Sequence, residues 1–244
     1  MRKRPSRARL ATHDIDTVVT VCSTGIATPT LEARLASKMG FRPDVARVPV
    51  FGLGCAGGVS GLAVAARLAQ SRPGSNVLLV VLELCTLAVR HDELTKANIV
   101  AASLFGDGAA ALVLRAGDGG STRVEASGEK LWPDTLGIMG WNVDAEGFGV
   151  VFQRTIPDFV AGHLGPAVGE ILTRMDLSEA DIDRFVCHPE APRSSTHSSR
   201  RCRSIRARWI TNATSLPTMA TCRRRPCCSC WNARLRKICR GDRC

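Results

Sequence analysis

Apolar residues in this chain fall into short runs separated by stretches of helical period, and that alternation predicts an α/β fold. Residues 17–22 (TVVTVC) and 77–84 (VLLVVLEL) are near-continuous, β-branched runs of buried-strand length. Residues 46–51 and 110–114 read as two more strands, and 185–187 as a short further candidate. Between them, residues 30–38, 58–70 and 157–175 carry helical spacing. The second of these is rich in small residues suited to close packing, and the third has Pro in its first turn. Strands alternating with helices predict a largely buried sheet covered on both faces.

The pattern also echoes itself. Residues 10–19 return as 177–186, displaced by 167 positions, with Asp14-Ile15-Asp16 matched by Asp181-Ile182-Asp183. In both copies an Asp-Ile-Asp turn feeds a strand. One short repeat is compatible with chance; the alternative is a fold of two duplicated α/β halves.

Composition changes this picture only when it is divided. The chain is 45% hydrophobic and 23% charged, which suits one large domain or two small ones. No apolar run approaches the roughly 18 residues of a membrane span, so a transmembrane reading is excluded. A formal net charge of +11 and 11 cysteines point, at face value, to nucleic acid or zinc. Both are local. Residues 190–244 carry 14 Lys and Arg against Glu190 and Asp242, leaving residues 1–189 with a net charge of −1. Cys22, Cys55, Cys85 and Cys187 lie in the first part, and the other seven in the last 55 residues. The start, MRKRPSRAR, is basic like a transit peptide but short and without an amphipathic helix, so a solvated start is expected. With no secretory apolar segment after it, the four dispersed cysteines read as reduced thiols of a cytoplasmic protein.

The sharpest chemical feature is Phe51-Gly52-Leu53-Gly54-Cys55-Ala56-Gly57-Gly58. Glycines flanking a cysteine allow a tight turn that leaves the thiol at a helix N-terminus, where the dipole and N–H groups favour thiolate. A nucleophilic cysteine needs that environment; the other reading is a small Cys buried in a glycine-rich packing corner. Among five histidines, His13 and His91 lie in loop-like stretches, His163 in a helix and His197 in the tail. His188 ends the strand candidate 185–187, and strand termini are where α/β enzymes present site residues. It is the best candidate to pair with Cys55.

Residues 52–58 (GLGCAGG), 104–114 (LFGDGAAALVL), 139–141 (MGW) and 185–189 (FVCHP) stand in that order, with 21–25 (VCSTG) and 42–55 upstream. Together they resemble the type III polyketide synthases, the chalcone and stilbene synthase-like family. The GDGA element alone is shared with ketoacyl synthases; the ordered set is specific and covers about residues 14–189. The resemblance implies a thiolase-like α/β fold of two duplicated halves, incomplete in this chain. Residues 14–120 would be part of the N-terminal half and 121–189 the start of the C-terminal half, after a basic remnant at 1–13.

The resemblance also implies a chemistry. Cys55 matches the nucleophile that takes an acyl group from a CoA thioester. His188 matches the histidine that assists it and helps hold the thioester oxygen as malonyl-CoA loses carbon dioxide. The third member, an asparagine in Gly-Asn-Met-Ser, does not appear downstream. Val89 and Val150 match positions that narrow the acyl tunnel and carry phenylalanine in plant members; with MGW they point to the bacterial branch making alkylpyrones, alkylresorcinols or small phloroglucinols. The other reading of both valines is ordinary core. Thr28 matches a position reaching the partner subunit's cavity in a homodimer, and Gly106-Asp107-Gly108 forms a structural turn. The expected partners are acyl-CoA, malonyl-CoA and a second subunit. No metal, redox cofactor or nucleic acid is expected.

Residues 190–244 remain. A nucleic-acid tail (Arg200-Arg201, Arg223-Arg224-Arg225), a metal site around Cys227-Cys228-Ser229-Cys230, and a wrong reading frame compete. Only one CxxC is present, without a second pair at zinc spacing. When each new codon takes the last base of one residue's codon and the first two of the next, some outcomes are forced. Trp209-Ile210 must give Asp, Met219-Ala220 Gly, Cys227-Cys228 and Cys230-Trp231 Leu, and Trp231-Asn232 Glu. With permissive choice of the free bases no stop appears, the codons across 226–230 all become apolar, and Gly-Asn-Met-Ser is restored with its Asn codon straddling Ala220 and Thr221. The tail is therefore expected to be out of frame from near Pro189 and without fixed structure, and the chain as it stands to be inactive. A ketoacyl-ACP synthase of the same superfamily, and a binding protein with a basic, cysteine-rich tail, are the competing readings.

Overall fold

A computed structural model describes residues 10–90, 93, 95–117 and 122–188. Its elements run β1 (Thr17–Val21), α1 (Leu31–Met39), β2 (Ala46–Val50), α2 (Gly57–Ser71), β3 (Val77–Glu83), α3 (Lys96–Leu104), β4 (Gly108–Leu114), β5 (Met139–Asp144), β6 (Gly147–Phe152) and α4 (Ile156–Thr173). Four strands form one sheet in the order β2-β1-β3-β4. β1 is parallel to β2 and β3, and β4 returns antiparallel along β3 from Glu83↔Gly108 to Val77↔Leu114. β5 and β6 form a separate hairpin.

The two strands with the longest β-branched runs are central. Val19, Val21, Val77, Leu79 and Val81 are buried against Ala65 and Ala69 of α2. Their neighbours in alternation, Val18, Leu78 and Val80, meet Ile15, Phe41, Val45 and Val113 on the opposite face, as a period of two requires. α2 comes close because it is small on that side. A Cβ at Gly57 would stand 2.7 Å from Val21 Cγ1, and one at Gly61 2.5 Å from Val21 Cγ2.

The sheet is less covered than the pattern predicted. β1 and β3 are buried, but Ala109–Ala111 of β4 are exposed. α2 reaches only the Leu112 and Leu114 end of that strand, so among the described residues its first half has no helix over it. The strand predicted at 185–187 reduces to a single bridge residue, Phe185. Phe185 is buried with Leu172 and Ile182 in a second, smaller core beneath α4. Gly108 opens β4 rather than belonging to the preceding turn.

The sequence echo has a structural counterpart. Thr12–Asp14 and Glu179–Asp181 are both single 3-10 turns. In each, the last aspartate accepts a hydrogen bond from the backbone N–H three residues earlier, Ala11 to Asp14 at 2.8 Å and Ser178 to Asp181 at 2.9 Å. Ile15 and Ile182, the next residues, are both buried. The two turns thus repeat one geometry at the entrance to two different cores.

Candidate active site

Because β1, β2 and β3 run in parallel, their C-terminal ends meet, and the chain after each contributes to one place. This is where open α/β sheets present functional groups. β1 continues into Cys22, Ser23 and Thr24, all buried. β2 continues through Phe51 to Cys55, and β3 ends at Glu83. Buried polar groups require partners, and here they partner one another. The Glu83 carboxylate accepts from Ser23 N–H at 2.9 Å and from the Thr24 hydroxyl at 2.8 Å. Thr24 Oγ1 accepts from Leu84 N–H at 2.8 Å, and Ser23 Oγ accepts from Gly54 N–H at 3.0 Å. The residue preceding Cys55 is therefore tied through Ser23 to the ends of β1 and β3.

The turn carrying Cys55 needs its glycines. Gly52 and Gly54 adopt φ of 87° and 51°, left-handed values that a side chain would strain. They fold the chain into a 3-10 turn, Gly54–Ala56, that runs directly into α2. Cys55 is exposed there, near the positive end of the α2 dipole. The packing-corner reading of a buried thiol does not describe it.

Cys85 is a contrast. It begins the 3-10 turn Cys85–Ala88, and burial first, then the Glu83 and Asp107 carboxylates, push its thiol up. Thr86 donates through its N–H at 2.8 Å and its hydroxyl at 2.6 Å to Asp107, holding that carboxyl below the usual range. Asp107, with Gly106 beside it, thus pins the approach to β4 against the turn after β3.

The remaining residues sit as follows. His188 is exposed just beyond Cys187, and the desolvation it retains lowers its pKa. It is placed by the α4 core and takes part neither in the Glu83 network nor in the ring cluster described next. Val89 is 36% exposed and Val150 partly buried; neither is in a core cluster. Thr28 is exposed, and its carbonyl accepts from Arg34 of α1 at 3.3 Å. The cysteine-rich tail and Pro189 lie outside the described residues. Among the described residues, no three His, Cys, Asp or Glu side chains are grouped to hold a metal, and no helix is long and apolar enough to cross a membrane.

Sequence reasoning missed the β5–β6 hairpin and the rings that seat it. Phe148 on β6 lies 6.3 Å from Phe51 and 5.8 Å from Trp141, and Phe105 stands edge-on to Trp141 and Phe152 at 6.2 Å. The hairpin therefore packs beside the turn that leads to Cys55. Glu83 was missed as well, although a carboxylate ending an otherwise apolar strand was a usable signal, since it must be given donors.

Residues 9–118 match the family model of the N-terminal domain of chalcone and stilbene synthases. Over 191 residues the chain is 44% identical to a 1,3,6,8-tetrahydroxynaphthalene synthase of Streptomyces peucetius, covering 76% of this chain and 50% of that protein. It is 30% identical over 187 residues to an alpha-pyrone synthesis polyketide synthase-like protein of Mycobacterium tuberculosis, covering 74% and 47%. The crystal structure of the 1,3,6,8-tetrahydroxynaphthalene synthase of Streptomyces coelicolor superposes with a TM-score of 0.72 at 32% identity, covering 79% of this chain and 55% of that one. The chain spans about half the length of the curated relatives it matches.

Proposed function

The chain belongs to the chalcone and stilbene synthase family of type III polyketide synthases, and from that premise we propose that its gene encodes an acyltransferase using Cys55 as nucleophile. The observation that carries this reading is the exposed Cys55 on a turn fixed by Gly52, Gly54 and the Ser23–Glu83 network. In the proposed reaction the Cys55 thiol gives its proton to His188, and the thiolate attacks the carbonyl of an acyl-CoA. The carbon–sulfur bond to CoA breaks, and CoA leaves with the proton from His188. Malonyl-CoA then loses carbon dioxide, and the electron pair of the broken bond forms an enolate. The enolate attacks the Cys55 thioester, a carbon–carbon bond forms and the Cys55 sulfur leaves. Donors aimed at the enolate oxygen lower this barrier; His188 supplies one, and the asparagine encoded across Ala220 and Thr221 in the next frame supplies the other. Val89 and Val150 leave room for an aliphatic acyl chain and a pyrone-, resorcinol- or phloroglucinol-type product. Thr28 lies at the surface where a second subunit would meet it.

Resequencing the DNA from codon 186 to codon 244 tests the frame: one base missing near Pro189 is expected, and an intact frame overturns this part. With the frame restored, incubation with an acyl-CoA is expected to add one acyl mass at Cys55, and malonyl-CoA to release carbon dioxide. Cys55→Ala abolishes the acyl adduct. An adduct that persists in Cys55→Ala overturns the assignment of the nucleophile.

A further inference from the structure

One half-buried cation among the described residues is Arg90, which the reaction above does not use. It follows the Cys85–Ala88 turn and Val89, and its side chain is only 12% exposed. One Nη donates to Asp144 Oδ1 at 2.6 Å and to the Gly147 carbonyl at 3.0 Å; the other reaches Glu93 at 3.3 Å. Asp144 and Gly147 close the β5–β6 hairpin, being its last paired residues. Asp144 Oδ1 also accepts from Glu146 N–H at 2.9 Å, so one carboxylate oxygen ties both the turn and the guanidinium. The guanidinium lies flat against β6. A Cβ at Gly149 would stand 3.3 Å from its carbon and both terminal nitrogens.

The hairpin is thus fixed at two points near its turn. Its turn is held by Arg90, and its face is held by Phe148 on Phe51, four residues before Cys55. Arg90 is joined directly to Val89, while β6 carries Val150. We propose that Arg90 is a positioning residue that sets the separation between Val89 and the β5–β6 hairpin, and with it the length of acyl chain that Cys55 accepts. The proposal rests on the acyl-loading role proposed for Cys55 and on the acyl-tunnel role proposed for Val89 and Val150. The spread of the two Nη atoms is what the geometry uses, one on Asp144 and Gly147 and the other on Glu93; a lysine would keep the charge, but its single compact ammonium lacks that spread.

The test uses the full 244-residue chain with Arg90→Lys, and with Gly149→Ala, which presses on the guanidinium from the opposite side. Hydrogen exchange is followed by mass spectrometry. The rates at which Cys55 reacts with iodoacetamide and with a long-chain N-alkyl iodoacetamide are compared on the Cys55 peptide. In both variants, exchange at residues 139–152 is expected to rise about tenfold, with β1 and β3 unchanged. The long-to-short reagent ratio at Cys55 is expected to move about threefold, with the iodoacetamide rate itself constant. Unchanged exchange in the hairpin, an unchanged ratio, or equal loss of protection in β1 and β3 each overturns the proposal. Neither readout needs acyl-CoA, so failure of acyl loading on the frame-restored chain is seen separately.

Discussion

Two side chains show how position decides chemistry residue by residue. Cys55 and Cys85 both follow parallel strands, yet Cys85 is half-buried between two carboxylates that hold it as a thiol, whereas Cys55 is exposed at a helix entrance. His188 is the base proposed for Cys55. Desolvation disfavours its charged form, so its pKa falls below 6.5 and the neutral imidazole prevails at pH 7. The sign for stability follows. As pH drops below 6.5 the unfolded chain takes up this proton before the folded one does, so this contribution weakens there and is constant above it. A proton NMR titration is expected to give His188 a midpoint below 6.5, identified by the resonance lost in His188→Gln; a midpoint above 6.5 contradicts the desolvated placement.

Among the elements, what the sequence revealed depended on whether the pattern was set by burial. β1, β3 and α2 were legible because Val19, Val21, Val77 and Leu79 meet the alanines of α2, and the apolar periods record that contact. α3 and the β5–β6 hairpin were not, because their short runs include glycines and exposed apolar residues whose reason is the ring cluster, a contact between distant parts of the chain. Cys55 was legible from local glycines, but Glu83, Ser23 and Arg90 act through partners about 30 to 60 positions away, beyond any local motif. The α2–β1 contact gives a direct test. Gly61→Ala would gain about 1 kcal/mol of helix propensity. Its Cβ would stand 2.5 Å from Val21 and 3.1 Å from Leu79, and overpacking of this kind costs about 1–3 kcal/mol. The net expectation is a lower urea midpoint for Gly61→Ala, restored by the double substitution Gly61→Ala with Val21→Ala. A midpoint equal to the parent's would mean the helix shifts freely on the sheet.

For the molecule as a whole, two properties that look unrelated share a cause in the proposed frame change. Charge is segregated, with a net −1 over residues 1–189 and +12 over 190–244. Apolar side chains also stand in solvent, with Leu136, Leu131 and Leu87 exposed by 91%, 86% and 76%. Large exposed apolar surface binds hydrophobic dyes and promotes association, while a strongly basic segment binds polyanions without specificity. In the next frame the tail loses its arginine clusters and gains an apolar run across codons 226–230, of the kind that covers such surface in a two-half fold. The 244-residue chain is therefore expected to enhance the fluorescence of anilinonaphthalene sulfonate and to bind heparin in a salt-sensitive way. The frame-restored chain is expected to lose heparin binding and most of the dye signal together. Loss of heparin binding with the dye signal intact would show that the restored segment does not cover these leucines, and would separate the charge pattern from the apolar one.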